Sequence, residues 1–295
     1  MFELAAGIGI GTDELVWVEG ADAVGFLDGQ VSQDVRGMAP GEVRRSLLLE
    51  PRGKLRAILW VLRGAESVGV VTPAGTGAAV VAELDRFRFR VVANLRTDER
   101  PVHSVWGGVP EPGSGWFEDG SVLQAVIPSG APRRLVAAVE APPGPRLGDA
   151  ALAAHRIAAG EPRFGSDVDD GTIPQETGLV PEAVSFTKGC FVGQELVARI
   201  DSRGHVNRML RRVVVAAGRP PRGAEVVVGG VVVGVLGTVA PREGGAAALA
   251  LLRREATPGA PVLVRWDGGE APGTVEEIVR GGLGGASQSS NSPFR

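Results

Sequence analysis

From Met209 onward the chain changes character, and that change limits what it can fold into more than any other feature. Six short runs follow one another: Leu210 to Val215, Glu225 to Val228, Val231 to Val239, Ala247 to Leu252, Pro261 to Arg265 and Thr274 to Val279. Each is rich in valine, leucine or alanine, and glycine turns divide them. Segments of this kind read as strands, and a succession of them predicts a small all-β unit closed into a barrel. The pattern sets a domain of residues 1–207, a barrel domain of 208–280 and a tail of 281–295. The tail is glycine, serine and asparagine with almost nothing to bury, and is expected to be disordered.

Ahead of the boundary the pattern is irregular. Leu15 to Val18 reads as a strand, and Gly20 to Ala23 opens a helix whose Val24, Leu27, Val31 and Val35 share one stripe, with Gln30, Gln33 and Asp34 off it. Ser46 to Leu49 and Leu55 to Leu62 flank Glu50 to Lys54, whose proline and glycine supply turn geometry, so a hairpin is expected. A strand at Val68 to Val71 precedes a helix over Ala78 to Phe87. The Gly75-x-Gly77 turn between them lacks the rest of a dinucleotide fingerprint. Strands at Val102 to Trp106, Val122 to Ile127 and Leu135 to Val139 lead to an alanine-rich helix that Asp149 caps and Gly160 ends. Such mixing predicts an α+β body rather than a doubly wound sheet. Glu161 to Glu182, with Asp167, Asp169, Asp170 and Glu176 among prolines and glycines, reads as a long functional loop.

Composition excludes several function classes. The net charge of −3 comes from 31 basic and 34 acidic residues spread along the chain, so no global field gathers nucleic acid. One cysteine rules out an intrachain disulfide framework and suits a reducing compartment. The first residues show no basic leader, and no run of about 18 apolar residues exists to span a bilayer. A cytoplasmic protein with no membrane partner is the expectation.

The chemistry is concentrated between Val184 and Arg208. Cys190 lies between Lys188, Gly189 and Gly193, and Gly193 to Asp201 reads as a helix with Leu196, Val197 and Ile200 on one face and Glu195 four residues before Arg199. A cysteine at or just before a helix start, with a lysine beside it, meets conditions that favour the thiolate below the ~8.5 of a free thiol. A reactive or ligating thiol and a small buried hydrophobe are both open on spacing alone. With one cysteine and three histidines, His103, His155 and His205, the chain by itself lacks the ligand set of a zinc or iron–sulfur site, so no metal ligands are assigned and only a shared or transient cluster is feasible. Only two of the basic residues are lysines, Lys54 and Lys188, each beside a glycine in a motif-like turn, which points to places where a compact ammonium is needed. Arg199, Arg203, Arg208, Arg211 and Arg212 form a local basic cluster that either contacts phosphate or is a solvated face.

K-G-C-F-V-G-Q-E at Lys188 to Glu195, with V-A-R at Val197 to Arg199 and R-G at Arg203 to Gly204, resembles the signature of the YgfZ folate-binding family. G-A-D-A-V-G-F-L-D-G-Q-V-S-Q-D-V at Gly20 to Val35, P-R-G-K at Pro51 to Lys54, R-I-A-A-G-E-P at Arg156 to Pro162 and I-P-Q-E-T-G-L at Ile173 to Leu179 agree in order. The resemblance implies a GcvT/YgfZ-like fold, similar to the aminomethyltransferase of the glycine cleavage system. A folate-binding α+β body would occupy 1–207, with a small C-terminal β-barrel after it. It further implies tetrahydrofolate or a derivative as cofactor, and a role in iron–sulfur cluster assembly or repair that supports tRNA-modifying and other cluster enzymes. Partners would then be folate and iron–sulfur proteins or their assembly machinery, with direct tRNA contact open. Carried onto this sequence, Cys190 and Lys188 take the reactive positions, and Glu176, Gln194, Glu195, Arg199 and Asp34 the cofactor-binding ones. The alternative is a folate-dependent aminomethyl or methyl transferase, and whether the chain turns anything over is open. The chain has no tyrosine, so pterin stacking falls to phenylalanine or to a tryptophan such as Trp17.

Overall fold

The computed structural model describes residues 4–107, 115–129 and 131–278; the tail expected at 281–295 lies outside them. The body is built on strands β1 (Gly7–Glu19), β2 (Val43–Leu49), β3 (Leu55–Arg63), β4 (Ser67–Pro73), β5 (Asn94–Thr97), β6 (Val102–Trp106), β7 (Trp116–Asp119), β8 (Val122–Ile127) and β9 (Arg133–Ala137). They form one sheet in the order β2-β3-β4-β1-β6-β9-β8-β7, with β5 also on β1, and the pairings are antiparallel. Helices α1 (Ala23–Gln30), α2 (Gly77–Asp85), α3 (Asp149–Ala159), α4 (Pro174–Thr177), α5 (Val180–Ala183) and α6 (Gln194–Arg203) complete it. The α+β expectation holds, and no described helix is long and apolar enough to cross a membrane.

β1 lies in the middle and is far longer than the expected Leu15 to Val18. Its glycine-rich first half pairs with β6, from Gly7 opposite Trp106, and its second half pairs with β5, from Val16 opposite Thr97. The glycines that hid this half serve close packing. A methyl group on Gly7 would lie 2.8 Å from Leu147, and one on Gly9 2.7 Å from Leu152 of α3. Beyond the bulge, alternation sends Val18 to a core with Leu27 and Leu84 on one face, while Leu15 and Trp17 join Trp60 and Leu62 on the other.

The second unit consists of β10 (Arg208–Val215), β11 (Glu225–Val228), β12 (Val231–Arg242), β13 (Gly245–Arg253), β14 (Pro261–Trp266) and β15 (Gly269–Glu276), closed as β10-β13-β12-β11-β14-β15. Closure leaves no free edge, which is how short strands of modest burial remain stable. Ala246, Ala248, Ala250 and Leu252 of β13 fill the barrel, whereas Ala247 and Leu249 point out into a core shared with Leu47, Ile157, Leu179 and Val197 of the body.

Three expectations differ in detail. α1 stops at Gln30 rather than running to Val35, so Gln33 is buried, not solvated, and its amide donates to the carbonyls of Arg45 and Glu182, both at 3.1 Å. Glu161 to Glu182 is not one loop but contains the single-turn helices α4 and α5. Asp149 stands in the first turn of α3, with Gly148 as the cap residue.

Candidate functional site

The motif loop is fastened to the carbonyl end of α1. The ammonium of Lys188 donates to the carbonyls of Asp28, Val31 (3.0 Å) and Gln33 (2.8 Å), and lies 3.1 Å from Asp28 Oδ1. Helix C-termini leave carbonyls without intrahelical partners and carry partial negative charge, so a cation there satisfies both demands. The side chain is 1% exposed. Burial pushes the ammonium below the ordinary lysine range, and Asp28 pulls the other way. Lys188 is thus engaged as an anchor, which gives the compact ammonium foreseen from lysine usage a structural task.

The neighbouring residues are tied as well. Ser185 N–H donates to Ser32 O at 2.9 Å, Val192 N–H to Gly29 O at 3.2 Å, and Phe191 N–H to Gln194 Oε1 at 3.1 Å, while the Phe191 ring is buried under the Lys188 ammonium. Gly193, at φ 81°, abuts the turn before Lys54: a methyl group on it would lie 2.7 Å from Glu50 O and 3.0 Å from Gly53 Cα. The two lysine–glycine turns of the sequence therefore meet. Within this clamped loop Cys190 is exposed, so the buried-hydrophobe alternative does not hold. It lies three residues ahead of Gly193, the cap residue of α6, just before the helix start rather than within it.

A second feature lies inside the body. A cavity of about 90 Å³ is lined by Asp13, Arg45, Trp60, Trp106, Arg133 and Glu161, among others. Glu161 bridges two guanidiniums, with Oε1 2.9 Å from Arg45 and Oε2 2.9 Å from Arg133, and Arg133 reaches on to Asp13 at 2.9 Å. Each of these arginines covers an indole face, Arg45 at 4.3 Å from the Trp60 centroid and Arg133 at 4.9 Å from Trp106. Burial works to raise the Glu161 carboxyl, but Arg45 and Arg133 outweigh it and hold the group below the usual carboxylate range. Burial likewise works to lower the Arg133 guanidinium, and Asp13 and Glu161 outweigh it and raise it. Arg45 Nε and Arg133 Nε are buried without hydrogen-bond partners. Arg156 also lines the cavity and donates to Thr238 Oγ1 of the barrel at 2.5 Å.

The residues expected to bind a cofactor are dispersed. Glu176 does not line the cavity; its carboxylate accepts two bonds from Arg208, at 2.8 and 3.0 Å, and one from Ile173 N–H at 3.1 Å, which joins α4 to the start of the barrel. Asp34 accepts from Gly37 N–H at 2.8 Å and shapes a turn. Gln194 supports the motif loop, and Glu195 and Arg199 are exposed on α6 with no ion pair joining them. Trp17 packs on Trp116 and donates to Asp98 at 3.0 Å, outside the cavity lining. Of the basic cluster, Arg208 is held by Glu176, and Arg212 donates to the carbonyls of Ile157 and Ala158 at 3.3 and 3.0 Å, so both serve the joint between body and barrel. Glu161 stands in the R-I-A-A-G-E-P stretch, but Asp13, Arg45, Trp60 and Arg133 carry no local signal in the sequence. They come from separate strands and a loop, and only the sheet brings them together.

No family model matches the chain. An uncharacterized protein of Haemophilus influenzae is 27% identical over 67% of this chain and 69% of its own length. The tRNA-modifying protein YgfZ of Escherichia coli is 27% identical, covering 72% of each chain. The glycine cleavage system aminomethyltransferase T of Bartonella henselae superposes with a TM-score of 0.80 over 92% of this chain and 85% of its own, at 22% identity. In sequence the chain is similar to YgfZ, and its fold is similar to that of the glycine cleavage aminomethyltransferase.

Proposed function

We propose that the chain binds a tetrahydrofolate-type ligand in the central cavity of the body and supports iron–sulfur cluster assembly or repair through Cys190. Activity of tRNA-modifying and other cluster enzymes would follow from that support. The observation that carries the reading is the loop Lys188 to Gln194, in which Lys188, Phe191, Gly193 and Gln194 are fixed to α1, to the Pro51 to Lys54 turn or to each other while Cys190, next to the exposed Gly189, is presented to solvent. Such rigidity positions a soft ligand without enclosing it. Among the described residues no cluster of three or more histidine, cysteine or acidic side chains is placed to hold a metal, so Cys190 offers one ligand and the client protein or its assembly machinery supplies the rest.

The donor set of the cavity suits an aminopyrimidine. Asp13 and Glu161 can accept from its N–H groups, and the Nε of Arg133 is a buried donor without a hydrogen-bond partner. A bound folate would supply a one-carbon carrier, and the protein's contribution is binding and orientation. Fold similarity to an aminomethyltransferase does not transfer its reaction.

Two measurements test the reading. Titration with tetrahydrofolate should saturate, and Glu161→Gln should weaken it roughly tenfold, as expected when a charged acceptor is lost, whereas Glu176→Ala should leave it near wild type. In cells lacking the native gene, Cys190→Ala should restore no cluster-enzyme activity while keeping folate affinity. Full complementation by that variant rejects the thiol role, and turnover of an aminomethylated or methylated donor would move the reading to one-carbon transfer.

A further inference from the structure

Arg45 divides two spaces. One is the cavity of about 90 Å³; the other is a cleft of about 340 Å³ whose walls include Gln33, Arg44, Pro128 and Glu182. Arg45 and Trp60 line both, with the guanidinium carbon 4.3 Å from the centre of the indole. Arg45 has a carboxylate on each side of this partition. Glu161, 2.9 Å from Nη2, faces the cavity, and Glu182, 3.5 Å from Nε, faces the cleft. Moving a buried guanidinium is costly when it leaves a charge alone. Here neither end is left alone, because Arg133 remains on Glu161 and Glu182 receives Arg45. Sites for drug-sized ligands run to about 300–1,000 Å³. The cavity alone falls well short of that range and the cleft alone only just enters it, so a ligand reaching the cavity's polar groups needs both.

We propose that cavity and cleft are one binding channel with Arg45 as its gate: the guanidinium swings from Glu161 toward Glu182, and the planar heteroaromatic ring of the ligand replaces it on Trp60. The proposal rests on the folate-type reading and adds the entrance, the stacking residue and the order of entry, ring first. Trp60, not Trp17, is the stacking platform. Glu182 is a positioning residue, since it acts on the ligand only through Arg45.

The test uses the full chain and 5-formyltetrahydrofolate. Glu182→Gln, at a side chain 30% exposed, removes the outer partner. It should slow association in stopped flow by roughly tenfold, in proportion to the open fraction, with the melting temperature unchanged. Trp60→Leu should weaken affinity by up to about tenfold through lost stacking. A second measurement needs no ligand. Acrylamide quenching of Trp60, taken as the difference between wild type and Trp60→Phe, should rise several-fold in Arg45→Met and fall in Glu182→Gln. Unchanged association in Glu182→Gln with unchanged quenching in Arg45→Met overturns the gate while folate binding stands. If the wild type shows no saturable binding, the folate reading falls, and the quenching alone decides whether Arg45 is a gate.

Discussion

Three backbone carbonyls and one carboxylate converge on the ammonium of Lys188, a point charge that can turn its three protons to separate acceptors. A planar guanidinium cannot address Asp28, Val31 and Gln33 from the same buried position. Removing one partner of a buried charge pair costs about 3–5 kcal/mol. Lys188→Met is therefore expected to destabilise by about 3 kcal/mol or more in urea unfolding, and Lys188→Arg is expected not to restore the loss. A substitution cost below 1 kcal/mol would show that the anchor is dispensable. The sequence marked this residue, since lysine is so scarce in the chain, but it could not tell a reactive ammonium from a capping one. The distinction lies in three carbonyls about 155 to 160 positions earlier in the chain, at the end of a helix whose apolar stripe continues past the point where it stops.

At the scale of elements, α6 and the β2–β3 turn are held together through glycine. Gly193 caps α6 in the left-handed region and leaves no room for a side chain against Glu50 O, while Gly53, at φ 79°, leaves none against Leu196. A left-handed conformation costs an ordinary residue about 1–2 kcal/mol, and the backbone contact adds to it. Gly193→Ala should thus lose more than about 2 kcal/mol by chemical denaturation. It should also raise the reactivity of Cys190 toward a thiol reagent, because the loop loses its seat. Unchanged stability would mean that the turn moves aside freely. The motif made Gly193 visible, and the P-R-G-K turn made Gly53 visible, as separate signals. Their contact was not legible, because local spacing carries no information on which turns meet.

Across the whole molecule, β13 serves two cores. Its even positions fill the barrel, and its odd positions Ala247 and Leu249, fully or almost fully buried, complete a cluster of body residues. Body and barrel should therefore unfold together. Leu249→Ala is expected to cost about 2–5 kcal/mol and to shift circular dichroism and tryptophan emission transitions by the same amount. Two separated transitions would show that the barrel stands alone. The sequence by itself determined the closed sheet after Arg208, the α+β character before it, the motif around Cys190 and the glycine turns, since hydrophobic period and turn chemistry are local properties. Only the tertiary structure decided that Lys188 is an anchor and Cys190 is presented to solvent. It alone decided that Glu176 belongs to the joint with Arg208, and that Asp13, Arg45, Trp60, Arg133 and Glu161 share one cavity. Those facts depend on antiparallel pairing between strands distant in the chain, where each residue's partner is set by the register of the sheet rather than by its neighbours in sequence.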